Sequence, residues 1–350
     1  MNSSILDNLK VILTVFLFVV AIIPGIRKLA YHIGAVDLPG GRHIHNKIIP
    51  KLGGLAIFLG FLLGYMLFCT QTLQMISILI GGIIILIFGI FDDVKRLPAS
   101  VQFIPQIASA CVVVFYGNIV LQDVSAYGLY LNFGSFASYL TIIFIVALIN
   151  CLNFIDGLDG LAGGISSIFF ITISIIISYM GVFNGLDASL SLIMIGAILG
   201  FLTYNFYPAK IFLGNSGSMF IGYIIAVVSL LGFKNVTITS LIIPVLILAI
   251  PILDTLFAII RRLLKKESPT KGDQSHFHHQ LLKMTSSQVK TVLIIYFIQI
   301  LFSAASIVYV LNNPLLGQIL YIILLILIIW LVATTNIVFE RKNKKKKSKK

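Results

Sequence analysis

The chain is 350 residues long, 59% of them hydrophobic and only 11% charged, with a mean hydropathy of +1.06. A soluble domain carries about 25% charged residues, so this composition excludes an ordinary soluble protein. The uncharged runs rich in Ile, Leu and Phe also exclude a β-barrel, whose strands would alternate apolar and polar residues. The formal net charge is +13, but no folded nucleic-acid module accompanies the basic residues, and we expect no nucleic-acid partner.

The apolar stretches predict the secondary structure. A helix needs about 20 mostly apolar residues to cross a bilayer, and we place eleven such helices in chain order, at residues 10–29, 52–69, 75–91, 101–118, 136–150, 164–181, 188–204, 217–233, 239–258, 291–311 and 316–337. The predicted fold class is therefore an all-α polytopic membrane protein with about eleven transmembrane helices in a lipid bilayer. It forms a single integral-membrane domain over residues 1–337, followed by a basic tail over 338–350 that we expect to be disordered.

The basic residues predict the orientation in the membrane. With eleven spans, the odd-numbered connections share one face, and all but two of the 25 Lys and Arg residues lie on that face or at its border. Cytoplasmic loops are enriched in Lys and Arg. We therefore expect a cell-membrane protein with its N-terminus outside and its C-terminus in the cytoplasm. The tail "ERKNKKKKSKK" fits a topology signal, and contact with anionic lipid head groups is the alternative.

A pair of carboxylates lies on the predicted cytoplasmic face. Asp92 and Asp93, in "FDDVKRL", directly follow an apolar span. Adjacent carboxylates repel each other unless a cation lies between them, and Mg²⁺ binds carboxylate oxygens, usually together with a substrate phosphate. The residues alone leave two interpretations open, a Mg²⁺ site or a helix-end pair neutralised by Lys95 and Arg96.

The stretch "NCLNFIDGLDGLAGG" raises a second question, because it places amides and carboxylates between two hydrophobic spans. If the segment is helical, Asn150, Asn153 and Asp156 form one polar stripe with a spacing of three, and Asp159 extends it by a turn. Such a stripe would be costly against lipid, about 2.5–3.5 kcal/mol for a charge at a helix centre. We therefore predict that it lines a polar cavity at the cytoplasmic surface.

Three further polar stretches are expected on the same face. The connection 30–51 brings Arg42 and His45, both chemically able to join a polar site. The sequence "LGNSGS" places backbone N–H groups beside the start of a span, which suits phosphate. The segment "SHFHHQLL" contains His276, His278 and His279. Zinc fits poorly because no cysteines accompany the histidines, so we favour a diphosphate ligand over an unspecialised surface cluster.

Together these motifs resemble the polyprenyl-phosphate N-acetylhexosamine-1-phosphate transferases (MraY/WecA/TagO), and most closely their TagO/TarO and WecA branch. The resemblance runs from about Asp37 to Leu282 and rests on "DLPGGRHIHNKIIPKLGG", "FDDVKRL", "NCLNFIDGLDGLAGG", "NFYPAKIFLGNSGS", "PILDTLFAIIRR" and "SHFHHQLL", in family order. It implies transfer of N-acetylglucosamine-1-phosphate from UDP-N-acetylglucosamine to undecaprenyl phosphate, with release of UMP, at the start of teichoic acid-type polymer synthesis. It also implies Mg²⁺, with Mn²⁺ as the alternative, and allows a homodimer.

The resemblance assigns roles residue by residue. Asp92, Asp93 and Asp156 match catalytic positions, and Asp93 and position 215 match the metal site. The residues that we expect to bind the substrates are Arg42, His45, Asn150, Asn153, Asp159, Phe212, His276, His278 and His279. Phe212 matches an aromatic residue that can stack on uracil.

One position departs from the family pattern. The family carries an aspartate, a Mg²⁺ ligand, where this chain has Asn215. An amide offers a carbonyl oxygen but no charge, so metal binding should be weaker. The sequence leaves open an active enzyme with weak metal binding, a low-activity homologue and an inactivated one. It also leaves open a phospho-N-acetylmuramoyl-pentapeptide transferase, and it disfavours a transporter, whose site would lie near the midplane of the membrane.

Overall fold

The long apolar runs fold into helices. A computed structural model describes residues 2–38, 48–126, 129–181, 185–231, 242–264, 276–311 and 313–334. Within these ranges the helices are α1 (Asn2–Ile33), α2 (Gly53–Phe68), α3 (Leu73–Lys95), α4 (Ala99–Cys111), α5 (Ala137–Ile155), α6 (Leu161–Met180), α7 (Leu186–Asn205), α8 (Gly214–Leu231), α9 (Ile242–Ile247), α10 (Ala249–Leu264), α11 (Phe277–Thr285), α12 (Gln288–Leu311) and α13 (Pro314–Thr334). Arg42, His45 and the basic tail lie outside the described residues.

Eight helical segments among the described residues are long and apolar enough to cross a membrane, and α2 and α13 supply shorter apolar helices. Each of the eleven predicted stretches contains a helix among the described residues, although the boundaries differ and residues 232–233, 239–241 and 335–337 lie outside the described ranges. The α4 segment continues as a π-helical turn over Val112–Tyr116. The stretch predicted at 239–258 is divided into α9 and α10, and α11 was not predicted.

The prediction of an all-α fold needs one correction, because the described residues include two short antiparallel ribbons. Strands β1 (Val36–Asp37) and β2 (Ile49–Pro50) pair with Val36 opposite Pro50. Strands β3 (Asp123–Ala126) and β4 (Leu129–Asn132) pair with Asp123 opposite Asn132, and a 3₁₀ turn over Gly134–Phe136 leads into α5. Both ribbons lie in connections between the predicted spans, where hydrophobic patterning carries little signal.

Helix α8 is the centre of the bundle and contacts α2, α3 and α5. Small residues let these helices approach closely, as is typical of helix packing in membranes. An ideal Cβ at Gly54 of α2 would lie 2.2 Å from the nitrogen of Gly217, and one at Gly89 of α3 would lie 2.4 Å from the Cα of Ser216. Only glycine fits at these two positions, and the start of α8 is thereby held against α2 and α3.

The helices run alternately between two ends of the bundle. At one end, the last turn of α3 meets the first turn of α8, since Asp93 accepts hydrogen bonds from Asn215 and Ser216. At the opposite end, a cavity is lined by Asn8 from α1, Ser178 from α6 and Ala188 from α7. The described aspartates and histidines singled out in the sequence gather at the first of these ends.

Candidate active site

Asp92 and Asp93 lie in the last turn of α3, rather than after the helix. Asp92 is almost fully buried, and its carboxylate accepts hydrogen bonds from the Leu97 N–H (2.5 Å), the Gln102 amide (3.1 Å) and the Asn215 side-chain amide. Three donors compensate the cost of burying the charge.

Asp93 caps the start of α8. One of its oxygens accepts the Asn215 backbone N–H (2.7 Å), and the other accepts the Ser216 N–H (3.1 Å) and the Ser216 hydroxyl (2.6 Å). A carboxylate is stabilised at a helix N-terminus by the free N–H groups and the helix dipole. The "LGNSGS" backbone N–H groups therefore bind the Asp93 carboxylate rather than a phosphate. Both oxygens of Asp93, a predicted metal ligand, accept hydrogen bonds from the protein.

Arg96, one of the two cations expected to neutralise the aspartate pair, forms its described ion pair with Asp37, as does Lys51. Lys51 Nζ is 2.5 Å and Arg96 Nη2 3.5 Å from Oδ1 of Asp37. Arg96 adopts a left-handed backbone conformation, with φ of 45°, as α3 ends. The pair is thus stabilised by hydrogen-bond donors, and the described ion pairs of Lys51 and Arg96 go to the start of the first connection.

The amide residues of α5 face its helix neighbours. Asn150 donates to the Gln106 side-chain oxygen of α4 (2.7 Å) and to the Val146 carbonyl (2.8 Å). The Asn153 side-chain oxygen accepts the Ser218 hydroxyl of α8 (2.8 Å). Asn153 is thereby brought to the first turns of α8, whereas Asn150 contacts α4. Their substrate-binding roles remain predictions.

The predicted polar stripe ends earlier than a continuous helix would place it. Helix α5 stops at Ile155, Asp156 occupies its C-cap, and Asp159 lies in the following loop. Oδ2 of Asp159 accepts the Ala209 N–H (3.0 Å). Asn205 ties the same two loops together, because its side chain accepts the Gly160 N–H (3.0 Å) and donates to the Ile211 carbonyl (2.9 Å).

Asp156 is the carboxylate with free oxygens. No donor among the described residues lies within hydrogen-bond distance of it. Burial, followed by the negative charges of Asp93 and Asp159, raises the pKa of Asp156 to about 7, with Lys51 opposing the rise. A carboxyl group crowded by others, with little compensating positive charge, is a favourable place for a cation or for a proton-accepting role.

Phe212, the predicted uracil-stacking residue, lies in the loop before α8 and is half-buried. Its backbone is fixed on both sides, since its N–H donates to the Pro50 carbonyl (2.8 Å) and its carbonyl accepts the Gly53 N–H (3.0 Å). The loop is thus anchored to β2 and to the start of α2. The stacking role remains a prediction.

The three histidines are brought to the same end of the bundle by a residue that the sequence did not single out. Asp254 of α10 accepts the Phe277 N–H (2.7 Å), and its Oδ2 is 3.3 Å from His276 Nδ1 and 3.5 Å from His278 Nδ1. Its signal was a lone acid within the apolar motif "PILDTLFAIIRR". His279 packs on His278 with ring centroids 4.3 Å apart. Burial, followed by the charges of His278 and His276, lowers the pKa of His279 to about 4.

The oxygen donors at this end suit a hard cation. Within the described ranges, no three His, Cys, Asp or Glu side chains form a metal-binding group by themselves. The Asp156 carboxylate and the Asn215 amide oxygen are free of described hydrogen bonds. Mg²⁺ commonly binds one or two carboxylates and takes its other ligands from water and substrate phosphates. The donor set therefore fits Mg²⁺, with few protein ligands.

The chain is similar to known proteins over most of its length. Residues 75–233, from α3 to just beyond α8, match the family "Glycosyl transferase family 4". The chain is 42% identical over 296 residues to a "Probable undecaprenyl-phosphate N-acetylglucosaminyl 1-phosphate transferase" of Bacillus subtilis, covering 83% of this chain and 82% of that protein.

More distant relatives carry related names. A "Decaprenyl-phosphate N-acetylglucosaminephosphotransferase" of Mycobacterium tuberculosis is 33% identical over 77% of this chain and 74% of its own length. An "Undecaprenyl-phosphate alpha-N-acetylglucosaminyl 1-phosphate transferase" of Haemophilus influenzae is 32% identical over 85% of this chain and 83% of its own. With these relatives, and with its carboxylates gathered at one end of the bundle, the chain belongs to glycosyl transferase family 4, the polyprenyl-phosphate sugar-1-phosphate transferases that its motifs resemble.

Proposed function

We propose that this protein transfers N-acetylglucosamine-1-phosphate from UDP-N-acetylglucosamine to undecaprenyl phosphate, releasing UMP, at the start of teichoic acid-type cell-wall polymer synthesis. The observation that carries the proposal is the convergence of Asp92, Asp93 and Asp156 at one end of an apolar bundle. The names of the relatives support the donor sugar and the polyprenyl acceptor.

A polar site at the membrane surface is the geometry that this reaction needs, because the nucleotide sugar is water-soluble and the acceptor is held in the bilayer. An oxygen of the acceptor phosphate attacks the phosphorus that bears the sugar, and the bond from that phosphorus to the UMP oxygen breaks. The acceptor phosphate is already ionised near neutral pH, so orientation and charge neutralisation contribute more than proton removal.

The hydrogen bonds of the three carboxylates indicate different roles for them. Asp93 fixes the start of α8, and Asp92 fixes the Asn215 side chain, so both serve mainly to hold the site together. Asp156, whose oxygens are free of described hydrogen bonds, is the best placed of the three to bind a cation or a substrate group. Asp159 and Asn205 hold its loop against the loop that carries Phe212.

The cofactor that we propose is Mg²⁺, with Mn²⁺ as a substitute, held by Asp156 and the Asn215 amide oxygen. When bound, the cation would neutralise phosphate charge in the transition state. A low-activity form of the enzyme is the second candidate, because the Asn215 amide already bonds Asp92, where an aspartate would need a cation.

We further propose eleven membrane crossings, the N-terminus outside and the site facing the cytoplasm. Eight segments qualify by length and composition. Adding α2, α13 and the broken α9–α10 pair gives the proposed number. Lys51, Arg96 and Arg262 lie at the end of the bundle that contains the aspartates, and cytoplasmic faces are enriched in such residues. The start of α1 lies at the other end.

The test is a UMP-release assay on purified protein with undecaprenyl phosphate, titrated with Mg²⁺, using UDP-N-acetylglucosamine and the UDP-muramoyl-pentapeptide in parallel. We expect UMP only with UDP-N-acetylglucosamine, and its loss in Asp156→Asn. Ser229→Ala is the control, since the described hydrogen bond of that hydroxyl goes to the Ile225 carbonyl of the same helix, α8. Release with the pentapeptide donor alone would overturn the donor assignment. Labelling of a cysteine at position 156 from the outside would overturn the cytoplasmic site.

A further inference from the structure

Asp254 is a buried charge for which the proposed reaction provides no direct role. It lies in the second turn of α10, is 3% exposed, and is surrounded by apolar residues of a helix that the sequence predicts as part of a membrane span. A buried carboxylate is costly unless it is paired. Its partners among the described residues therefore indicate why the chain keeps a charge at this position.

All the described partners of the Asp254 carboxylate belong to the histidine segment. Oδ1 accepts the Phe277 N–H (2.7 Å), and Oδ2 faces the Nδ1 atoms of His276 (3.3 Å) and His278 (3.5 Å). His276 is the N-cap residue of α11, so the same carboxylate fixes both the backbone and the imidazoles where that helix begins. The two rings are stacked, with centroids 5.6 Å apart and planes 16° apart.

The far edge of His278 contacts the loop that carries Asp156. An ideal Cβ at Gly157 would lie 2.3 Å from His278 Nε2, so the imidazole occupies the space that any other residue at 157 would need. His278 is 1% exposed. The histidine segment is thus held from two sides: Asp254 bonds His276 and the Phe277 N–H, and Gly157 leaves room for the His278 ring.

We propose that Asp254 is a positioning residue for the transferase reaction, which fixes His276 by a hydrogen bond at Nδ1 and His278 by a charge contact at 3.5 Å, and so holds both rings against the loop of Asp156. The kinetic part of this inference rests on the proposed function, and the structural part does not. A carboxylate that accepts a hydrogen bond from Nδ1–H sets the tautomer of an imidazole and the orientation of its Nε2 edge. On the opposite side of the ring, Gly157 leaves the space that the His278 imidazole occupies.

The experiment compares Asp254→Asn and Asp254→Glu in the full-length protein labelled with ¹⁵N-histidine and ¹⁵N-phenylalanine. Thr255→Ala is the control, since Thr255 follows Asp254 in α10 and its hydroxyl bonds the Pro251 carbonyl (2.9 Å). We expect Asp254→Asn to shift the ring ¹⁵N resonances of His276 and His278 and to lower kcat about tenfold with a smaller change in KM, as is common when an orienting carboxylate is removed. Asp254→Glu should restore part of both, and Thr255→Ala should change neither.

Gly157→Ala tests the packing of His278 against the loop of Asp156 without altering a charge. We expect it to shift the ring resonances of His278 and lower kcat, while the Phe277 amide resonance, which reports the Asp254 contact, stays in place. Unchanged histidine resonances in a folded Asp254→Asn protein would overturn the proposal, and so would shifted resonances with an unchanged kcat. If the unmodified protein released no UMP, the proposed function would fail, while the resonances would still test the positioning role.

Discussion

Replacing Asn215 by aspartate changes a hydrogen-bond donor into a charge at the most crowded point of the site. The Asn215 amide donates to Asp92, and its backbone N–H donates to Asp93 (2.7 Å). A carboxylate at 215 would face Asp92 at about 4 Å, where two like charges repel by about 4 kcal/mol at an effective dielectric constant of about 20. The variant also loses one hydrogen bond to a charged group, which contributes about 1.5–3 kcal/mol.

These magnitudes predict how stability responds to metal. In EDTA, Asn215→Asp should melt below the unmodified protein, because the repulsion has no compensating partner. In Mg²⁺ it should recover, since a cation at 100 times its Kd stabilises the folded state by about 2.7 kcal/mol. The unmodified protein should gain less from Mg²⁺, because the Asn215 amide already satisfies Asp92. The Mg²⁺ concentration for half-maximal UMP release should fall in the variant.

The assay is thermal unfolding followed by intrinsic fluorescence in detergent, across a Mg²⁺ titration. Asn313→Asp is the matched control: Asn313 is exposed at the start of α13, and its side-chain oxygen accepts the Leu316 N–H (3.1 Å), which a carboxylate would accept equally well. The control should show the same Mg²⁺ response as the unmodified protein. An Asn215→Asp protein that melts like the unmodified one in EDTA, with no gain from Mg²⁺, would refute the reasoning.

Three further outcomes are expected. Gly89→Ala should destabilise the protein by about 1–3 kcal/mol and lower UMP release, because its Cβ would press on the Ser216 backbone at 2.4 Å, whereas Gly25→Ala, with nothing within 4 Å, should be neutral by thermal unfolding. Ser216→Ala should cost about 1.5–3 kcal/mol in denaturant titration, since it removes the 2.6 Å bond to Asp93, and a smaller loss would contradict the capping role. The pKa of His279 is lowered from 6.5 to about 4 in the folded protein. Between these pH values His279 is protonated in the unfolded chain and neutral in the folded protein. The folded protein therefore becomes less stable relative to the unfolded chain as the pH falls from 6.5 towards 4. The melting temperature of His279→Gln should fall less than that of the unmodified protein over that range.

The helices and the location of the chemistry could be predicted because their causes are local. In lipid every backbone polar group must be satisfied within the chain, so each long apolar run becomes a helix. Charge is costly there, so the aspartates of "FDDVKRL" and "NCLNFIDGLDGLAGG" cluster at one end of the bundle, as expected. The break between α9 and α10 was missed because hydropathy continues through it.

The sequence by itself thus determined a helical membrane protein with a set of polar residues gathered on one side. Only the tertiary structure decided their partners: Asp93 with the start of α8, Asn215 with Asp92, and Asp254 with the histidines. The physical reason is that a hydrogen bond depends on two groups meeting, and these groups lie between 22 and 123 residues apart in the chain. Periodicity reports which face of a helix is polar, whereas the packing of small residues around α8 decides which polar faces meet.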